Sequence, residues 1–148
     1  MEDLTPATIA AWTTLMTVSR TLLEQVEGAL KAEGLPSLSW YDALLEIEKS
    51  GTEGIRPYAL KSKLLLPQYG TSRLLDRLVA AGLIERLSCD DDKRGYSVRI
   101  TEDGRKLRRD MWPVYRDTLR GNFEDRLTDE EIKTLNSLLG ALGTTIND

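Results

Sequence analysis

Seam positions recur at alternating spacings of three and four at both ends of the chain. In residues 5–32 they are Ile9, Trp12, Met16, Ser19, Leu23, Val26 and Leu30; after Thr128 they are Ile132, Leu135, Leu139, Leu142 and Ile146. This spacing lays an apolar stripe along one helix face and fits a partner helix. Little neighbouring chain is available to cover the two stripes. A second copy related by a two-fold axis is the commonest solution, so a homodimer is expected. Burial of both seams inside one monomer is the alternative.

The seams frame a different pattern. Gly34 and Pro36 end the first helix. Ser39 is placed to cap a helix carrying Trp40, Ala43, Leu44 and Ile47. Gly51 and Gly54 break the chain, and Ile55-Arg56 can make one short strand pairing. Pro57 opens a helix to about Leu65. Pro67 opens another to about Ala81, with Gly82 as its C-cap. Residues 83–87 and 96–100 read as strands around a polar, Gly-ended turn, giving a β-hairpin. Thr101 caps a helix that Pro113 is expected to kink or interrupt. Thr128-Asp129-Glu130-Glu131 reads as a capping box for the last helix. The expected class is mainly α with a small hairpin wing. A winged helix-turn-helix lobe occupies about residues 39–103, and about 1–33 and 104–148 form dimerisation helices of one domain.

Charge is divided along the chain. The formal net charge is -4 over 148 residues. Residues 1–55 hold 3 basic and 9 acidic groups, residues 56–109 hold 13 and 7, and residues 110–148 hold 4 and 8. The middle third is thus basic between acidic ends. A local positive field, not global charge, steers a protein onto phosphates. There is no histidine and one cysteine, Cys89. Ser-His-Asp and Cys-His chemistry are therefore excluded, as is an intrachain disulfide. No metal or cofactor site is indicated, and an enzyme is not expected. No apolar run approaches the roughly 20 residues of a membrane span, and the acidic start lacks a secretory leader's basic residues, so a cytoplasmic protein is expected.

The helix opened by Pro67 carries the first candidate nucleic-acid contacts. Leu74, Leu75, Leu78 and Val79 share its core face, and Tyr69, Gly70, Arg73, Asp76 and Arg77 lie opposite. Gln68, Thr71 and Ser72 fall at its N-terminal turns, where backbone N–H groups favour phosphate. Arg73 suits a guanine edge and Gln68 an adenine. The hairpin tip, Asp90-Asp91-Asp92-Lys93-Arg94-Gly95, adds a protruding Arg94 suited to a narrow minor groove, with Lys93 beside it and Asp92 placed to orient it. An amphipathic surface helix and a solvated charged turn are the ordinary readings of the same residues.

Three stretches in order resemble the MarR family of transcription regulators. They are Leu74-Leu75-Asp76-Arg77-Leu78-Val79-Ala80-Ala81-Gly82-Leu83-Ile84-Glu85-Arg86, then Asp92-Lys93-Arg94, then Val98-Arg99-Ile100-Thr101-Glu102-Asp103-Gly104. The resemblance implies a homodimer with recognition helices in successive major grooves and wings in the minor groove. Arg94 would be the wing-tip contact and Asp92 its orienter. The target would be a pseudo-palindromic duplex operator. It further implies a repressor released by a small aromatic or anionic effector, for which Trp12, Arg20, Trp40, Tyr41 and Asp42 are candidate pocket residues. Cys89 offers a redox-responsive alternative, and a winged-helix protein-interaction module is another.

Overall fold

The computed structural model describes residues 3–66, 70–88 and 95–143. Its elements run α1 (Pro6–Ala32), α2 (Leu38–Lys49), a 3-10 turn (Gly51–Glu53), α3 (Pro57–Lys63), α4 (Thr71–Ala80), β1 (Ile84–Ser88), β2 (Tyr96–Ile100), α5 (Glu102–Asn122), a second 3-10 turn (Glu124–Arg126) and α6 (Asp129–Gly143). The chain is mainly helical with one antiparallel hairpin, as the pattern implies. Its contacts separate residues 27–114 from a second unit of residues 1–26 and 115–148, the divisions falling inside α1 and α5.

Residues 27–114 hold the apolar core. Ala43, Leu44 and Ile47 on α2, Leu60 on α3, and Leu74, Leu75 and Leu78 on α4 are buried against Ile84, Val98 and Ile100 of the hairpin. Each is the inward member of its element's period, and burying such a side chain contributes about 1.5–3 kcal/mol. The hairpin registers Ile84 with Ile100, Arg86 with Val98 and Ser88 with Tyr96. Ile55 adds a one-residue bridge, exchanging two 2.9 Å hydrogen bonds with Val98. That approach explains Gly54: at φ 77° a Cβ there would lie 2.6 Å from the Val98 carbonyl oxygen.

Helix ends follow local chemistry. α1 and α4 both close on glycines with positive φ, Gly34 and Gly82. The Leu35 N–H bonds the Leu30 carbonyl at 2.9 Å, and the Leu83 N–H bonds the Leu78 carbonyl at 3.0 Å, which are Schellman closures. Thr101 accepts the Gly104 N–H at 3.1 Å and donates to the Gly82 carbonyl at 2.7 Å, tying the start of α5 to the turn before β1. The capping box is present: the Thr128 N–H reaches Glu131 Oε1 at 2.9 Å and the Glu131 N–H reaches Thr128 Oγ1 at 3.2 Å.

Several boundaries differ from the sequence expectation. The N-cap of α2 is Ser37, not Ser39. The Leu38 N–H is taken instead by Glu27 Oε1 of α1, at 2.5 Å. α3 ends at Lys63. α4 begins at Thr71 behind Gly70. β1 lies one residue later than expected. α5 is not interrupted: Pro113 sits inside one helix on an exposed side, and it cannot itself donate to the Arg109 carbonyl one turn back.

The second unit is poorly buried in one chain. α6 has no buried residue. Ile9, Trp12 and Met16 on α1, and Leu138 and Leu142 on α6, are each at least half exposed. An apolar groove runs between the two helices, lined by Ala11, Val18, Leu22, Leu135, Leu139 and Leu142 among others. Ile146 lies outside the described residues.

Candidate nucleic-acid interface

The reading face is built on α4. Its period sends Leu74, Leu75 and Leu78 inward and leaves Ser72, Arg73, Asp76 and Arg77 exposed, with Val79 half-buried. Its first turn contains no acidic residue, and its N-cap, Gly70, has no side chain to accept the leading N–H groups. An anion is favoured there. The structure distinguishes Thr71 from its neighbours. Its Oγ1 is buried without a hydrogen-bond partner, whereas Ser72 is open to solvent.

The hairpin is fastened to this helix by charge. Arg86 on β1 donates to the Asp76 carboxylate on α4, and its guanidinium lies 5.2 Å from the centre of the Tyr96 ring on β2. The pair neutralises the one acidic group on the outer face of α4, leaving Arg73 and Arg77 as its net charge. Arg99 and Glu85 pair across the strands at the hairpin's root. Both pairs are exposed, so their stabilisation is small, at most about 1 kcal/mol.

α3 adds a surface that the sequence reading did not include. Tyr58, Lys61 and Lys63 are exposed along it, Tyr58 at 89%. The signal was available as Lys-x-Lys in the short helix before α4, but periodicity alone does not say which helix crosses a nucleic-acid backbone. A more buried group joins α2 to α5. Arg108 donates to Glu48, whose carboxylate raises the guanidinium pKa above its ordinary value, and the Tyr41 and Trp112 rings stack with centroids 6.1 Å apart.

The remaining candidates are dispersed. Gln68 and Tyr69 lie outside the described residues, as do Cys89, Asp92, Lys93 and Arg94. Of the proposed pocket residues, Trp12 and Arg20 are exposed on α1 in the second unit. Trp40, Tyr41 and Asp42 are on α2 in the lobe; Tyr41 and Asp42 are buried there, and Trp40 is half-buried against the core.

The MarR family model matches residues 33–95, the span holding α2, α3, α4 and β1. The whole chain also superposes on AbsC, a MarR family transcriptional regulator from Streptomyces coelicolor, with TM-score 0.84 and 28% identity, covering 99% of each chain. Residues 33–95 thus match the MarR family, and the chain is similar in fold to MarR family regulators. The chain is also similar to the multiple antibiotic resistance protein MarR of Escherichia coli K12, 35% identical over 85 residues. That alignment covers 57% of this chain and 59% of the relative. A mutant MarR from Escherichia coli, solved in complex with operator DNA, has TM-score 0.79 and 26% identity, covering 95% of this chain and 99% of that one. Within this family fold, α4 is the helix after the helix-turn-helix turn and β1–β2 is the wing.

Proposed function

We propose that this protein is a homodimeric transcription regulator that binds a pseudo-palindromic duplex operator, represses from it, and lets go when a small aromatic or anionic effector binds. The observation that carries the reading is α4 itself. Three leucines anchor it in the core while Ser72, Arg73 and Arg77 face out, and its only outward acid is spent on the wing. That arrangement suits insertion into a major groove, with Arg73 on a guanine edge and Ser72 with the first-turn N–H groups on phosphate. Tyr58, Lys61 and Lys63 on α3 suit the flanking backbone. Arg94, with Lys93 and Asp92, is assigned to the minor groove from the family motif. The solved relative in complex with operator DNA supports the same use of the fold.

Dimerisation is supported by the half-exposed apolar residues of α1 and α6 and by the absence of any buried residue on α6. Surface of that extent is characteristic of an interaction face. A two-fold dimer places two reading helices about one turn of duplex apart. No helix among the described residues is long and apolar enough to cross a membrane. A chromosomal target places the protein in the cytoplasm, and it works by occupancy, not by turnover. Trp12, Arg20, Trp40, Tyr41 and Asp42 remain the proposed effector contacts.

Fluorescence anisotropy against an operator selected from a random-site library tests the reading. Affinity should fall steeply as salt rises. Arg73→Ala and Arg94→Ala should each weaken binding by about 1–3 kcal/mol without changing the dimer. Equal affinity for selected and random duplexes, with both variants indistinguishable from the native protein, would move the function to a protein-interaction module.

A further inference from the structure

Asp42 is the one buried charged residue among the described residues, 7% exposed. Its Oδ2 accepts the Leu66 N–H at 3.0 Å, across 24 positions of sequence. Leu66 lies between α3 and α4, in the turn of the helix-turn-helix. Among the described residues of this turn, 64–66 and 70, no left-handed glycine closes α3. α1 and α4 stop on left-handed glycines that fold the chain back onto the helix end. α3 instead runs from Lys63 into Leu64, which is extended at φ -65° and ψ 134°. No glycine occurs in the sequence until Gly70. The helix cannot continue through Leu66 either, because Pro67 follows in the sequence and a residue before proline is steered away from the helical region. Local backbone chemistry therefore says that α3 must end but not which way the chain leaves. The acceptor that settles the direction comes from α2.

A buried carboxylate is costly unless it is hydrogen-bonded, and an N–H given to a charged acceptor is stronger than one given to a neutral acceptor. α2 is itself fixed in the core by Ala43, Leu44 and Ile47, each fully buried next to Asp42 in sequence or one turn on. The carboxylate is thus mounted on a rigid element and, beyond Leu64 packed against the core, gives the departing chain its hydrogen-bond acceptor. We propose that Asp42 is a positioning residue for DNA reading. Through the Leu66 N–H it pins the turn between α3 and α4, and so sets where α4 presents Ser72 and Arg73. The proposal rests on the DNA-binding reading above.

The test compares the native protein with Asp42→Asn, which keeps an acceptor oxygen, and Asp42→Leu, which keeps the branched skeleton and has none. Two quantities are read: the ratio of selected-operator to random-duplex affinity, and hydrogen exchange at the Leu66 amide. Asp42→Leu should lose about tenfold in the ratio, the effect of one hydrogen bond to a charged group. Its Leu66 amide should lose protection while helical circular dichroism is kept. Random-duplex binding should fall less than operator binding, since no phosphate-facing cation is removed. Asp42→Asn should restore most of both readouts. If Asp42→Leu does not fold, Asp42→Ala takes its place. A native ratio in the variant that lacks an acceptor overturns the proposal, and so does an equal loss on operator and random duplex. If the native protein prefers no duplex at all, the DNA reading falls and the proposed consequence with it. Leu66 exchange then still reports whether Asp42 holds the turn, so the two failures are told apart.

Discussion

Replacing Gly104 with alanine should loosen the root of the wing. A Cβ at this buried position would stand 2.1 Å from the Leu83 carbonyl oxygen, 2.7 Å from Ile100 Cγ1 and 3.1 Å from the Leu83 carbonyl carbon. Ile100 can yield by turning its side chain. The Leu83 oxygen cannot, because it is backbone and accepts the Thr101 N–H at 3.0 Å. An ordinary carbon–oxygen contact of about 3.3 Å requires the start of α5 to back away by about 1 Å. That movement costs about 1–3 kcal/mol in overpacking. It also strains the Thr101 bonds to Gly82 and Gly104, each contributing about 1 kcal/mol. Against this, a helical Gly→Ala change gains about 1 kcal/mol. The net expectation is a loss of about 2–3 kcal/mol. Gly28 on α1 supplies the control: a Cβ there meets nothing within 4 Å, so Gly28→Ala should gain up to about 1 kcal/mol. Urea midpoints at one fixed protein concentration measure both, since a dimer's apparent stability depends on concentration. If Gly104→Ala raises the midpoint as Gly28→Ala does, the close-approach argument is refuted.

Three further outcomes are expected. The Thr128 backbone N–H, and then its side chain, hold the Glu131 carboxyl below its ordinary value. A carboxyl lowered in the folded state stabilises fully above its unfolded pKa and loses that contribution as pH falls through the folded value. Melting temperatures taken between about pH 6 and pH 3 should therefore show a decline that Glu131→Gln removes and that Thr128→Ala, which keeps the backbone N–H, only lessens. The side chains of Arg108 and Glu48 are only 18% and 27% exposed, so Glu48→Ala should cost about 1–2 kcal/mol by urea unfolding, whereas breaking the surface pair Lys106–Asp110 should cost under about 0.5 kcal/mol. Leu139→Glu, in the groove between α1 and α6, should shift sedimentation towards the monomer, and an unchanged dimer would place the interface elsewhere.

Features set by a single residue or a short repeat were legible in the sequence. Gly34 and Gly82 end their helices because a left-handed residue is needed there and only glycine takes it freely. The Thr128 box declares itself by spacing. The inward and outward sides of α4 follow from its helical period. The two ends of the α1 seam were not separable in this way. Leu30 is fully buried while Trp12, on the same stripe, is 61% exposed, and periodicity gives a face without saying what covers it.

Features set by a distant side chain were not legible. Ser37 and Ser39 are equally suited by type to cap α2, and the helix starts at the earlier one, where Glu27 of α1 supplies the acceptor for the Leu38 N–H. The exit of α3 is the same case with a larger separation, since its acceptor, Asp42, lies 24 residues back. In both places a carboxylate on a neighbouring helix replaces the local cap that a sequence pattern can recognise. Asp42 also shows that residue type alone does not give the whole role of a side chain. A buried aspartate beside Trp40 and Tyr41 fits an effector pocket by composition, but its hydrogen bond places one oxygen on the chain itself. An effector that used Asp42 would have to share it with the turn that leads into α4. The residue that ends α3 and the residue that answers a ligand would then be one group, and Asp42→Asn would separate them by keeping the turn's acceptor while removing the charge.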